Sequence, residues 1–207
     1  MNILVLSPHT DDGEFGCGGS IARFVSEEKN VFYAAFSTAE ESVSCKFPRD
    51  ILSIEVRKAT KVLGIERKNL MLFDYKVREF PAYRQSILDD ILLLKREFTP
   101  DIVMLPSTHD THQDHQVIAQ EGFRAFKDTT MMGYEAPRNN LSFPTNIFVT
   151  ISKRDIQLKM KAIECYHSQA TRPASSAEHY ESLAKIRGMQ VGVEYAEVFE
   201  AIRWVMR

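Results

Sequence analysis

The sequence predicts an α/β fold in three layers, a mostly parallel sheet with helices on both faces. Three observations carry that expectation. Short, continuous apolar runs recur at 3–6, 31–36, 70–73 and 102–105, each the length of a strand and apolar on both faces. Stretches with helical spacing separate them. No repeat, low-complexity tract or linker interrupts the chain, so residues 1–207 read as a single domain; that length suffices for one core and is short for two.

Ile3 to Leu6 is the first strand, ending at Ser7-Pro8. A glycine cluster follows (Gly13, Gly16, Gly18, Gly19) and reads as a tight strand-to-helix turn, after which Ile21, Phe24 and Val25 have helical spacing. Val31 to Phe36 is the second strand, and the polar stretch from Ser37 to Asp50 a loop over one edge. Ile51, Ile54, Ala59, Val62 and Leu63 form one helix, stopped by Gly64. Leu70 to Phe73 is the third strand. Ile87, Ile91, Leu94 and Phe98 step by four, three and four, one stripe on one helix face, and Pro100 ends that helix before the strand at Ile102 to Leu105. Alternating strands and helices favour right-handed crossovers and a parallel sheet, whose active site lies beyond the carboxyl ends of the strands.

Composition narrows the function. Lys plus Arg number 26 against 28 Asp plus Glu, a formal charge of −2, which argues against a general nucleic-acid binder. No apolar stretch approaches the roughly 18 to 20 residues that span a bilayer. The opening Met1-Asn2-Ile3-Leu4-Val5-Leu6 lacks a basic leader and reads as a strand, not a signal peptide. Three cysteines (Cys17, Cys45, Cys165) cannot all pair and no Cys-x-x-Cys is present, so a cytoplasmic location is expected.

Two segments carry the chemistry. Pro8-His9-Thr10-Asp11-Asp12-Gly13-Glu14 follows the first strand, and His109-Asp110-Thr111-His112-Gln113-Asp114-His115 follows the fourth. Four of the six histidines lie in them. Adjacent aspartates before a glycine are common in turns and helix caps, and His-x-x-His alone is a weak signal. Two such clusters, each directly after a buried strand, point instead to a shared metal. Imidazole supplies nitrogen, carboxylate supplies oxygen and charge, and a hydrolytic centre needs about three such ligands with one position open. One His and one Asp from the first segment and one His from the second meet that need. A further carboxylate is then available as a base, and a further histidine to stabilise an oxyanion or protonate a leaving group.

These residues resemble the PIG-L/LmbE-like N-acetylglucosamine deacetylases. Pro8-His9-x-Asp11-Asp12 running into Gly16-Cys17-Gly18-Gly19-Ser20-Ile21-Ala22 is similar to that family's opening, and Asp110-x-His112-x-Asp114-His115 to its second motif. Tyr166-His167-Ser168-Gln169 and Gly192-Val193-x-Tyr195-Ala196-Glu197-x-Phe199 resemble later segments. The resemblance implies a Rossmann-like fold and a zinc-dependent amidohydrolase, with Fe2+ also suited to the ligand set, acting on a small-molecule N-acetylamino-sugar conjugate. It implies His9, Asp12 and His115 as metal ligands, Asp11 as general base, His112 as oxyanion stabiliser or acid, and Asp114 as the residue that orients His112. The division of roles between Asp11 and Asp12, and between His112 and His115, rests on the resemblance alone. Related proteins often form homo-oligomers, so a homo-oligomer is compatible with the reading. One departure stands out: the family usually has Glu directly after the Asp-Asp pair, where this chain has Gly13, with Glu14 one place later. The family's substrate-binding arginine has two nearby candidates, Arg49 and Arg57.

Other features stay structural in this reading. Gly16-Cys17-Gly18-Gly19 is not a dinucleotide loop, Cys17 is a packed thiol, His109 is peripheral, and Trp204 is a packing anchor for the tail. Two other functions use the same centre: hydrolysis of a larger amide or, less directly, a phosphoester, and metal-dependent sugar binding without turnover.

Overall fold

The computed structural model describes residues 1–170 and 176–206. Its strands are β1 (Asn2–His9), β2 (Asn30–Ser37), β3 (Leu70–Leu72), β4 (Ile102–Pro106), β5 (Thr130–Tyr134), β6 (Ile147–Ile151) and β7 (Tyr195–Arg203). They form one sheet in the order β3-β2-β1-β4-β5-β7-β6. The first five are parallel, and β7 runs antiparallel to both β5 and β6. The helices are α1 (Asp12–Ser26), α2 (Ile51–Val62), α3 (Arg84–Phe98), α4 (Gln113–Ala125), α5 (Lys153–Glu164) and α6 (Ala177–Gln190).

The apolar run of β1 is continuous because both faces of that strand are covered. Ile3 and Val5 point to one core, with Ile21 of α1, Val56 of α2 and Ala162 of α5. Leu4 and Leu6 point to the other, with Ile87 and Ile91 of α3 and Val117 and Ile118 of α4. Side chains alternate along a strand, so a run without polar interruption serves two cores at once. The three-layer architecture expected from the sequence is therefore present. The expected stop of α2 is present as well: Gly64 takes a φ of +87°, the left-handed turn that ends helices.

Two local expectations need correction. The glycine cluster is not a turn ahead of the first helix but lies inside α1, which starts at Asp12 and breaks helical geometry only at Cys17 (φ −145°, ψ 22°). The glycines let the helix approach the sheet. A Cβ on Gly16 would stand 2.4 Å from the ring of Tyr134. Trp204, expected to anchor the tail, is 60% exposed, because the chain beyond Arg203 has left the sheet and packs on neither core.

The topology positions the site. β1 has β2 on one side and β4 on the other, and the connections after these two strands go to opposite layers. The crevice between them is the switch point of the sheet. Both histidine-bearing segments open there.

Candidate active site

The first segment turns sharply from β1 into α1. Asp11 occupies the position before the helix, yet its side chain makes no capping bond to the α1 backbone. The reading of the aspartate pair as a simple cap is thereby removed. Asp12 folds back over His9: its Oδ2 accepts the His9 backbone N–H at 2.8 Å and lies 3.0 Å from His9 Nδ1. The same oxygen lies 3.2 Å from His115 Nε2.

The second segment delivers His115 from the first turn of α4. His112 caps that helix, its Nδ1 accepting the Asp114 N–H at 3.2 Å. His115 is buried, and its Nδ1 donates to Asp110 Oδ2 at 2.8 Å, while Asp110 Oδ1 accepts the His112 N–H at 2.8 Å. His9 uses its other nitrogen in the same way, with Nε2 donating to Asp114 Oδ2 at 2.9 Å. The carboxylate of Asp114 thus serves His9 and not His112, which it was expected to orient; only its backbone N–H reaches His112. Asp114 also accepts the Arg78 N–H at 2.6 Å, so the segment after β3 helps to hold it on His9. Asp110, to which the sequence reading gave no role, is the partner of His115.

The donor set fits a metal. Two imidazoles each have one nitrogen fixed by a carboxylate and present the other beside Asp12 Oδ2, the arrangement that sets tautomer and direction in metal sites. Ligand atoms about 2.0–2.1 Å from a tetrahedral Zn2+ stand about 3.3 Å from one another, close to the 3.0 and 3.2 Å seen here. His112 belongs to the same cluster, since nitrogens of His9, His112 and His115 all lie within 4.8 Å of one another. Its Nδ1 is already an acceptor, however, which leaves Nε2–H directed elsewhere as a donor.

Electrostatics separates these roles. Burial pulls His9 down, but Asp12 and the bonds to Asp114 and Asp12 outweigh it and push its pKa up to about 9. Burial likewise opposes the charge on His115, and Asp12 and Asp110 push it up to about 10. Burial raises Asp12, yet His115 and His9 hold it well below the carboxylate range. His112 moves the other way: burial and the neighbouring imidazoles lower it, so at neutral pH it is a neutral N–H donor.

A third group of residues supports the first segment. Glu14 is fully buried and bonded to the hydroxyls of Tyr33 and Tyr166, the latter at 3.0 Å. Tyr166 also donates to the Thr10 carbonyl at 2.7 Å, and Tyr33 Oη accepts the Gly13 N–H at 3.1 Å. Burial drives the Glu14 pKa up to about 8. Gly13 is what admits Tyr33, since a Cβ there would stand 2.5 Å from the ring. The departure at 13–14 therefore replaces one side chain with a tyrosine ring and moves the carboxylate behind the turn.

These groups open into a cavity of about 440 Å³, within the range of small-molecule sites. Asp11, Asp12, His9, His112 and His115 line its floor. Phe15 and Tyr180, stacked with ring centres 4.9 Å apart, line one wall. Ala39 and Ser42 come from the 37–50 loop, and Glu135 to Asn139 from the segment after β5. Arg78 and Arg138 line the cavity; Arg49 and Arg57 do not. His109 stands outside it, 3.9 Å from Glu200.

Fold and site together define a doubly wound α/β protein with a cluster of histidines and aspartates, of a kind that could hold a metal ion, at the switch point of its sheet. A family model described as GlcNAc-PI de-N-acetylase (PIG-L) matches residues 4–126. The chain belongs to this family of deacetylases. It is 28% identical over 172 residues to the uncharacterized deacetylase YaiS of Escherichia coli, covering 80% of this chain and 90% of that protein. It is 24% identical to a diacetylchitobiose deacetylase of Thermococcus kodakarensis, covering 94% and 80% respectively. The structure also superposes on GalB, a 4-carboxy-2-hydroxymuconate hydratase of Pseudomonas putida KT2440, with a TM-score of 0.81 at 19% identity over 100% of this chain and 98% of that one. That likeness concerns the fold alone.

Proposed function

We propose that this protein hydrolyses the acetamide of an N-acetylamino-sugar conjugate, of the N-acetylglucosamine type, releasing acetate and a free amine. The observation that carries the reading is the single Asp12 oxygen set between two carboxylate-backed imidazoles, with Asp11 and His112 beside it on the floor of one cavity. His9, Asp12 and His115 would hold a divalent metal, Zn2+ in the first instance with Fe2+ as the other suitable ion. Such an ion, when bound, polarises a carbonyl and lowers the pKa of water toward 7.

The chain's own residues supply the rest. Asp11 accepts the proton of the attacking water as its oxygen adds to the acetyl carbon. His112, neutral and with its proton on Nε2, donates a hydrogen bond to the developing oxyanion, and the proton taken up by Asp11 passes to the departing nitrogen as the C–N bond breaks. Asp110 and Asp114 keep His115 and His9 in the required orientation. The relative from Thermococcus kodakarensis acts, by its name, on an acetylated sugar, which supports the substrate class.

The experiment is free-amine release from a panel of N-acetylglucosamine conjugates by zinc-loaded protein, with Asp11→Asn as control. Turnover is expected in the wild type, and a loss of about 10²- to 10⁴-fold in the variant with metal still bound. Normal turnover by the variant would sink the assignment of Asp11 as base.

A further inference from the structure

We infer that Gln169 is a specificity-determining residue, its side-chain oxygen accepting a hydrogen bond from a hydroxyl of the acetamido sugar. The inference rests on the deacetylase reading above and deepens it. The proposed reaction makes no use of the segment Tyr166-His167-Ser168-Gln169, in which His167 is exposed and the other three residues are buried. Gln169 is only 2% exposed, yet it lines the same cavity as Asp11, Asp12 and His112. Among the described residues its Oε1 has no hydrogen-bond partner. Asn140, whose Nδ2 is the other such atom among them, is not part of the lining. Buried polar atoms are as a rule bonded, and an open acceptor on the wall of a cavity is where a donor on a ligand gains most.

The amide of Gln169 has one permitted orientation. The single proton of the Ser168 hydroxyl goes to Glu55 Oε2 at 2.6 Å, and the Ser168 N–H goes to Glu55 Oε1 at 2.9 Å. Toward Gln169 that hydroxyl can only accept, and it takes a proton of Nε2 at 3.0 Å. Turning the amide over would set two acceptors against each other. Oε1 is therefore the end left for a ligand. The backbone is fixed as well: the Gln169 N–H bonds the Tyr166 carbonyl at 2.9 Å, and the Tyr166 hydroxyl bonds the carbonyl of Thr10, the residue before Asp11, at 2.7 Å. Glu55 of α2 and Thr10 of the first catalytic segment thus hold this oxygen in place relative to the reaction centre. A neutral amide oxygen selects a donor and not an anion, and the ring hydroxyls of an N-acetylamino sugar are donors that a deoxy analogue lacks.

The test compares kcat/KM of zinc-loaded protein for the methyl glycoside of N-acetylglucosamine and for its 3-deoxy, 4-deoxy and 6-deoxy forms. In the wild type one deoxy sugar is expected to fall about 10- to 100-fold below the parent, because it leaves the buried acceptor without a donor. Gln169→Met keeps the length of the side chain and removes the acceptor. In that variant the parent sugar should fall by a similar factor, and its advantage over the sensitive deoxy sugar should shrink toward one. Ser168→Ala frees the amide from its fixed orientation and should narrow the same ratio while leaving the other two unchanged. Should Gln169→Met fail to fold, the Ser168→Ala ratio decides. An equal loss on all four sugars in the variants, the mark of a merely structural role, overturns the inference and leaves the deacetylase reading standing. So does a wild type that turns over all four within about threefold of one another. Absence of amine release from every sugar overturns the deacetylase reading, and the inference falls with it.

Discussion

Asp110 and Asp114 show how much of this site is decided one atom behind the ligands. Each carboxylate fixes one nitrogen of an imidazole and leaves the other beside Asp12. Replacing either by Asn keeps the shape but weakens the acceptor, and metal affinity should fall by about 10- to 100-fold. Competition with a chromogenic chelator measures this, and an unchanged affinity would remove both residues from the site's support. The same contacts set a pH dependence. The folded pKa values of about 9 for His9 and about 10 for His115 lie above the ordinary 6.5. Their contribution to the stability of chelator-treated protein is therefore complete below about pH 6.5 and is lost as pH rises through 9 to 10. A metal must displace those protons, so its apparent affinity rises over the same interval. Calorimetry near pH 7 in buffers of different ionisation enthalpy should register proton release on binding; none would mean that these imidazoles are not the ligands. The residue types of the site were legible in the two segments. The pairing of carboxylates with histidines was not, because Asp114 and His9 are 105 positions apart and nothing local says where an aspartate in the first turn of a helix will point.

At the scale of elements, α1 is where the sequence reading and the structure differ most. A run of four glycines reads as a turn, since glycine weakens helices. The run is nonetheless helical, because its value lies in what it allows to approach: Tyr33 and Tyr134 fill the space that side chains would take. The periodicity of α3 and the glycine stop of α2 were legible, because each depends on residues a few positions apart. Substitutions at Gly13 test the account of α1. Gly13→Ala places a Cβ 2.5 Å from a ring that cannot swing aside without breaking its bonds to Glu14 and to the Gly13 N–H. A loss of about 1–3 kcal/mol is expected from overpacking, visible as a lowered Tm, and Gly13→Glu should cost more. If Gly13→Glu were as stable as the wild type, the explanation offered for the departure at 13–14 would fail.

Across the whole molecule, three buried carboxylates, one on α2 and two on β7, tie distant parts of the chain together. Glu55 of α2 accepts from the Ser168 backbone and hydroxyl at 2.9 and 2.6 Å. Glu200 of β7 accepts from Ser107 and Thr108 at 2.7 and 2.8 Å, holding the segment that leads into His109–His115. Glu197 of β7 meets the Gly19 and Ser20 N–H groups of α1 and the Lys159 ammonium of α5, the last at 2.6 Å. Lys159 and Glu197 are both nearly fully buried. Lys159→Met should therefore cost about 3–5 kcal/mol in denaturant unfolding, by leaving a charge without its partner, while adding Glu197→Gln should recover most of the loss. Failure of the second change to recover stability would show that packing, not charge, dominates there. These ties were beyond a sequence reading, since Glu197 and Gly19 are 178 positions apart. The antiparallel pair β6–β7 was hidden for a related reason: its partners are set by tertiary packing, not by a local pattern. Among the described residues no helix is long and apolar enough to cross a membrane.

The central claim is that water adds to an acetyl carbonyl and a C–N bond then breaks. Its most direct test is turnover of an N-acetylglucosamine conjugate by zinc-loaded protein in ¹⁸O-labelled water, with both products followed by mass spectrometry. The account predicts free amine and acetate in equal amounts, the acetate carrying one solvent oxygen. Water gained by the substrate with its acetyl group retained, as a hydratase on this scaffold would give, contradicts it.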